Sequence, residues 1–105
     1  MRMDYSSFAR RLSELRLRKN VSAREMSLAI GQNESYINRI ENSLAFPSMQ
    51  CFFYICEYLN VTPSEFFDID NKDPAKRREL LNSLDRLSRG QLDIILAVVN
   101  EMTKK

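Results

Sequence analysis

The sequence predicts an all-α protein, and three observations carry that reading. Apolar residues recur three and four apart, as in Phe8, Leu12 and Leu15 and again in Leu80, Leu84 and Leu87, the period of a helix that buries one face. Helix-start signals of the form Ser/Thr-x-x-Glu/Gln stand at Ser22–Glu25, Thr62–Glu65 and Ser88–Gln91. In each, a hydroxyl can accept the backbone N–H three residues on while the acid or amide reaches back. No stretch alternates apolar and polar residues as a half-buried strand does, and no repeat of solenoid length occurs.

The elements follow in order. Phe8, Leu12, Leu15 and Val21 fit a first helix over about residues 5–19. Ser22-Ala-Arg-Glu25 opens a second, with Met26 and Ile30 inward and Gly31 as a stop that tolerates the left-handed conformation of a helix end. Asn33 is a candidate cap for a third helix over 33–42, whose inward pair is Ile37 and Ile40. Phe46-Pro47-Ser48 breaks that run and starts a fourth helix over 48–59. Its main stripe is Met49, Phe52, Phe53, Cys56 and Leu59, with Tyr54, Ile55 and Tyr58 as a second apolar face. Thr62-Pro-Ser-Glu65 starts a short fifth helix through Phe66 and Phe67, with Pro63 at its first position. The polar run 68–74 reads as a linker. Beyond it Asp73-Pro74 and Ser88 open two further helices, a C-terminal helical hairpin over 74–103. The division expected is residues 1–69 and 70–105.

Length and composition bound the function. At 105 residues, 44% hydrophobic and 29% charged, the chain has the size and balance of one ordinary globular domain. No apolar run approaches the ~18 residues of a membrane span, and the N-terminal stretch has no continuous apolar core for a secretory signal. No membrane association and a cytoplasmic location are the default expectation. The chain has no histidine, only two glycines, and two cysteines, Cys51 and Cys56. Ser-His and Cys-His pairs cannot be built, nor a Gly-rich phosphate loop. The cysteines are five apart, on different faces of a helix, and read as small apolar side chains. No catalytic residue, metal site or cofactor is expected. The net charge is +2, but Arg10, Arg11, Arg16, Arg18, Lys19 and Arg24 face only Glu14 across positions 10–24. Such a patch either attracts a polyanion or is a solvated helix face.

The stretch GQNESYINRIEN, Gly31 to Asn42, is the informative one. Its outer face carries Asn, Glu, Ser and one Arg instead of the Lys and Glu of an ordinary solvated helix. A capped helix, a glycine turn and a second helix with a polar outer face is the helix-turn-helix arrangement, in which the second helix enters the DNA major groove. The small Ser27 permits the two helices to approach, while Met26, Ile30, Ile37 and Ile40 form the core that fixes their angle.

The spacing of Ser22, Met26, Gly31, Tyr36-Ile37, Arg39-Ile40-Glu41, Pro47 and Thr62-Pro-Ser-Glu-Phe66 resembles the phage repressor/Cro-like, or XRE, helix-turn-helix family over about residues 8–68. The resemblance implies a five-helix DNA-binding domain, here followed by the C-terminal hairpin. It places base-reading positions on Asn33, Glu34, Ser35, Asn38 and Arg39, and phosphate contacts on Ser22, Ala23 and Asn42. Tyr36 is within reach of a phosphate as well. Arginine can bind guanine O6 and N7, asparagine adenine N6 and N7, and glutamate the amino group of cytosine. The resemblance also implies a structural ion pair between Arg16 and Glu41. The chain departs from the family in having Ala23 for the usual Gln, Ser43 for the usual Gly, and Leu44-Ala45 for a basic pair. A cation missing from the phosphate backbone flattens the salt dependence of binding by ~0.9 in slope.

The last helix is apolar over more than one face, from Leu92 to Met102. It must pack on its own hairpin partner, on the first domain or on a second copy. The expectation is a homodimeric transcriptional regulator of double-stranded DNA, a repressor occupying an inverted-repeat operator. The alternative from another class is a protein-interaction module on the same fold, for example an antitoxin, with a protein partner the sequence leaves unknown.

Overall fold

The computed structural model describes residues 4–105. Seven helices account for the regular structure of the described residues: α1 (Tyr5–Lys19), α2 (Ala23–Ala29), α3 (Tyr36–Glu41), α4 (Met49–Leu59), α5 (Pro63–Phe67), α6 (Pro74–Leu84) and α7 (Arg89–Thr103). No helix among them is long and apolar enough to cross a membrane. The chain divides into two compact units, one running to Lys72 and the other Asp73–Lys105.

The first unit has a single core, built from Phe8, Leu12 and Leu15 of α1, Met26 of α2, Ile37 and Ile40 of α3, Phe52, Ile55, Cys56 and Leu59 of α4, and Phe66 of α5. Each of α1 to α5 therefore contributes, and the two shortest, α3 and α5, persist because Ile37 and Ile40 of α3 and Phe66 of α5 are fully buried; helices of this length are not stable alone. Phe8, Phe52, Phe66 and Phe67 form an aromatic cluster with ring centroids 5.0–6.4 Å apart, separations at which edge-to-face and offset pairs are favourable.

The inward stripe of α4 differs from the expected one. Phe52, Ile55, Cys56 and Leu59 are buried, at i, i+3, i+4 and i+7, whereas Met49 and Phe53 are exposed. The helix is apolar on so many sides that the pattern admits two stripes, and only packing against α1 and α5 selects between them.

Arg11 is the other departure. It lies at i+3 from Phe8 on the buried stripe of α1 and is 1% exposed. Its guanidinium donates to the backbone carbonyls of Glu65 (2.7 Å), Phe66 (2.6 Å) and Asn71 (3.2 Å). It thus satisfies the Phe66 carbonyl at the end of α5, which the helix itself leaves open, and ties the run beyond it to α1. The first half of the polar run after α5 is held in this way, with Asn71 buried. Arg11 belongs to the core and not to a basic surface patch.

Four helix ends stop in left-handed backbone: Asn20 (φ 63°), Gly31 (φ 79°), Ser43 (φ 62°) and Asn60 (φ 56°). At Gly31, Ser43 and Asn60 the paired bonds of a Schellman turn close the helix, for example Ser43 N–H to Ile40 O and Leu44 N–H to Arg39 O, each 3.0 Å. Glycine and asparagine tolerate this conformation; serine is strained in it.

Of the expected capping boxes, those at Thr62–Glu65 and Ser88–Gln91 form in both directions. At Ser22 only the hydroxyl half forms, accepting from Glu25 N–H at 2.9 Å. In the second unit α6 and α7 are joined by a short turn over 85–88. No residue of α7 is buried: Leu92, Ile95 and Val99 are 40–45% exposed and Met102 79%.

Ser43→Gly is expected to stabilise the first unit. Relief of the left-handed cost of ~1–2 kcal/mol is offset in part by the freer unfolded chain, leaving about 0.5–1 kcal/mol. A thermal melt should show the midpoint rising by a few degrees.

Candidate nucleic-acid interface

The turn between α2 and α3 is set by Gly31. Its N–H bonds to Leu28 O (3.1 Å) and the next N–H, of Gln32, to Ser27 O (2.9 Å), which reverses the chain after α2. The third helix then begins later than expected, at Tyr36 instead of 33. Asn33 does not cap it. The Asn33 Oδ1 accepts from Ser35 N–H (3.1 Å) and the Ser35 hydroxyl (2.9 Å), a local turn that competes with helix at Asn residues. Residues 33–35 are therefore a turn leading into α3.

The six residues of α3 have two faces. Ile37 and Ile40 are buried; Asn38 and Arg39 are exposed. The C-terminal end is tied to α1 by Arg16, whose Nε and Nη2 donate to the Glu41 carboxylate at 2.6 and 2.9 Å. Arg16 Nη1 also donates to Val21 O at 2.9 Å, so one guanidinium holds α3 and the α1–α2 loop together. Both side chains are largely shielded, at 14% and 11% exposure, so this bidentate pair is stronger than a surface bridge.

The five expected base-reading residues are not equally free. Asn33 and Ser35 are bonded to each other, and Glu34 pairs with Arg24 of α2 at 3.2 Å, both highly exposed. Among the described residues, the side chains of Asn38 and Arg39 make no hydrogen bond or ion pair. Ser22 is exposed at the start of α2 and Ala23 is half-buried beside it. Asn42 is exposed and donates through Nδ2 to Asn38 O at 2.9 Å.

Tyr36 points inward. Its ring is half-buried against the core and its hydroxyl lies near Cys51 of α4. An aromatic ring this close to Ile37 is drawn to the core, and the hydroxyl then takes the polar atom within reach. Gln32 Nε2 meets the same sulfur at 3.3 Å. Burial pushes the Tyr36 phenol up to about 12.

The basic run over positions 10–24 does not form one free patch. Arg11 is buried, Arg16 is paired with Glu41, Arg24 with Glu34, and Lys19 lies 4.7 Å over the Tyr58 ring. The signal for Arg11 was available in its place on the α1 stripe. Nothing in the sequence marked Tyr36 and Gln32 as neighbours of Cys51.

A helix-turn-helix family model matches residues 12–66, just over half of the chain and the segment that contains the turn, α3 and the Arg16–Glu41 pair. The chain belongs to the XRE-like helix-turn-helix family. Members are DNA-binding transcription regulators. No curated protein and no solved structure matches the chain.

Tyr36 and Cys56 hold their protons more tightly in the folded state, at about 12 against an ordinary 10.0 and about 11 against 9.0, both through burial. Their contribution to stability is complete below the ordinary values and is lost as pH rises through the folded ones. The unfolding midpoint is therefore expected to fall between pH 9.0 and about 12. Tyr36→Phe should flatten the upper part of that decline in melts recorded across the range.

Proposed function

We propose that the protein is a repressor that reads an inverted-repeat operator as a dimer, one α3 in each half-site. The observation that carries base reading is the pair Asn38 and Arg39. They are exposed side by side on the helix of which Ile37 and Ile40 are the buried face, with their polar ends unengaged. Arg39 is suited to guanine and Asn38 to adenine. Glu34 is placed to accept from cytosine at the edge of the contact, and its bridge to Arg24 keeps a cation beside it. Asn33 and Ser35 act as a bonded unit at the entry to the helix. Ser22, Ala23 and Asn42 flank the reading surface as phosphate contacts. Tyr36 supports α3 from inside, and its hydroxyl would have to leave Cys51 to touch a phosphate.

The dimer reading rests on α7. Its large apolar side chains from Leu92 to Met102 are all 40% exposed or more. A contiguous apolar surface of this kind on a lone chain marks an interaction surface. A second copy supplies a matching helix, and a dimer brings two reading helices to the two half-sites of one operator.

A second reading, a protein-interaction module, is favoured by one observation. Phe8, Phe46, Pro47, Met49, Phe52 and Phe67 line an apolar groove of about 360 Å³ on the first unit.

Selection from a random duplex library tests base reading. The intact chain is expected to enrich an inverted repeat. Arg39→Ala should lose discrimination at one position of each half-site by ~1–3 kcal/mol, about 5- to 150-fold. No enrichment by a folded chain would shift the assignment to the interaction module. For the dimer, sedimentation of the full chain at micromolar concentration should give twice the monomer mass, and Ile95→Glu with Val99→Glu should give the monomer. A monomeric parent would remove the dimer reading.

A further inference from the structure

We propose that Ser27 is a positioning residue for the reading helix: its hydroxyl caps α3 from α2 and sets the rotation at which Asn38 and Arg39 meet DNA. This rests on the base reading assigned to α3 and adds to it a residue that never touches the DNA.

The short third helix lacks a cap of its own. Ser35, in the N-cap position, makes no side-chain bond to the helix, because its hydroxyl is turned to Asn33. The first N–H groups of any helix need partners from outside it. That of Tyr36 bonds to Asn33 O at 3.1 Å. The next, of Ile37, is buried and donates to Ser27 Oγ at 2.9 Å. The Ser27 hydroxyl in turn donates to Ala23 O at 2.7 Å. This second bond fixes the rotor, so that a lone pair of the oxygen faces Ile37. Ser27 is 0% exposed, and water has no route to replace it.

The geometry of α3 gives this bond leverage. Only Ile37 and Ile40 are buried, and two apolar contacts three residues apart define a line, about which a short helix can still turn. The half-buried Tyr36 ring, with its hydroxyl near Cys51, limits that rotation, and two hydrogen-bonded ties resist it, Arg16–Glu41 at the C-terminal end and Ser27–Ile37 at the N-terminal end. Ile37 directly precedes Asn38 and Arg39. A rotation of about 20° moves a side-chain tip on a helix by roughly 2 Å, beyond the ~0.5 Å range over which an N–H···O bond keeps its length. Loss of the tie therefore acts on discrimination between sequences, which depends on base-edge bonds, and leaves attraction to the phosphate backbone alone.

The test uses the full chain carrying Ser43→Gly for added stability, at a temperature where every variant is folded. The readout is the ratio of affinity for the selected site to affinity for random duplex. Ser27→Ala is expected to lower that ratio about tenfold or more, with random-duplex affinity unchanged. Ser27→Cys keeps a weaker, longer acceptor and guards against a Ser27→Ala chain that does not fold; it should lower the ratio about threefold. Val61→Ala, which loosens the core from the α4–α5 connection without touching a hydrogen bond of α3, should lose stability and keep the ratio. The proposal is overturned if the folded Ser27 variants keep the parental ratio, or if Val61→Ala lowers it equally. A parent that selects no sequence would instead overturn the base-reading assignment itself.

Discussion

The third helix is less than two turns long, and its conformation depends on what its neighbours supply. Six residues supply too few internal hydrogen bonds to be helical in isolation. Its stability is borrowed from three other helices. The burial of Ile37 and Ile40 against α1, α2 and α4 provides the attraction, and a small set of polar ties provides the orientation. Arg16 reaches it from α1, Ser27 from α2, and Cys51 of α4 meets the Tyr36 hydroxyl. Apolar burial is strong but non-directional. Hydrogen bonds are individually worth about 1 kcal/mol but have narrow geometry. The division of labour follows from that difference.

The same division appears elsewhere in the first unit. The aromatic cluster of Phe8, Phe52 and Phe66 brings α1, α4 and α5 together, while the buried Arg11 guanidinium fixes where α5 ends and how the chain leaves it. Four left-handed residues stop α1 to α4, so that short helices can pack at large angles around one core. Ser43 accepts strain where glycine would not. The result is a compact support whose exposed side near α3 is left to short polar groups and one arginine.

The second unit obeys another logic. Its helices begin at well-formed caps, Asp73 and Ser88, yet α7 buries none of its apolar side chains. Local signals suffice to make the helix, but they do not satisfy its surface. A helix that is apolar over more than one side and solvent-exposed in a single chain is incomplete by itself.

Much of the fold was legible because its signals are local. Spacing placed α1 at 5–19, and cap residues placed the starts of α2, α5 and α7. Gly31 marked the turn, and Ile37 and Ile40 the inward pair. The family pattern covered the site, including Arg16 and Glu41. What the sequence could not determine is where a residue's polar atoms go when several partners compete. Asn33 turned to Ser35 instead of capping α3, Arg24 took Glu34, and Tyr36 turned inward to Cys51. Arg11 left the apparent basic patch for carbonyls more than fifty residues away. The inward stripe of the all-round apolar α4 was likewise settled only by its neighbours. Local sequence determines helices and their ends, because those depend on bonds within a few residues. The tertiary structure decided which polar side chains remain unengaged, because that depends on partners distant in the chain.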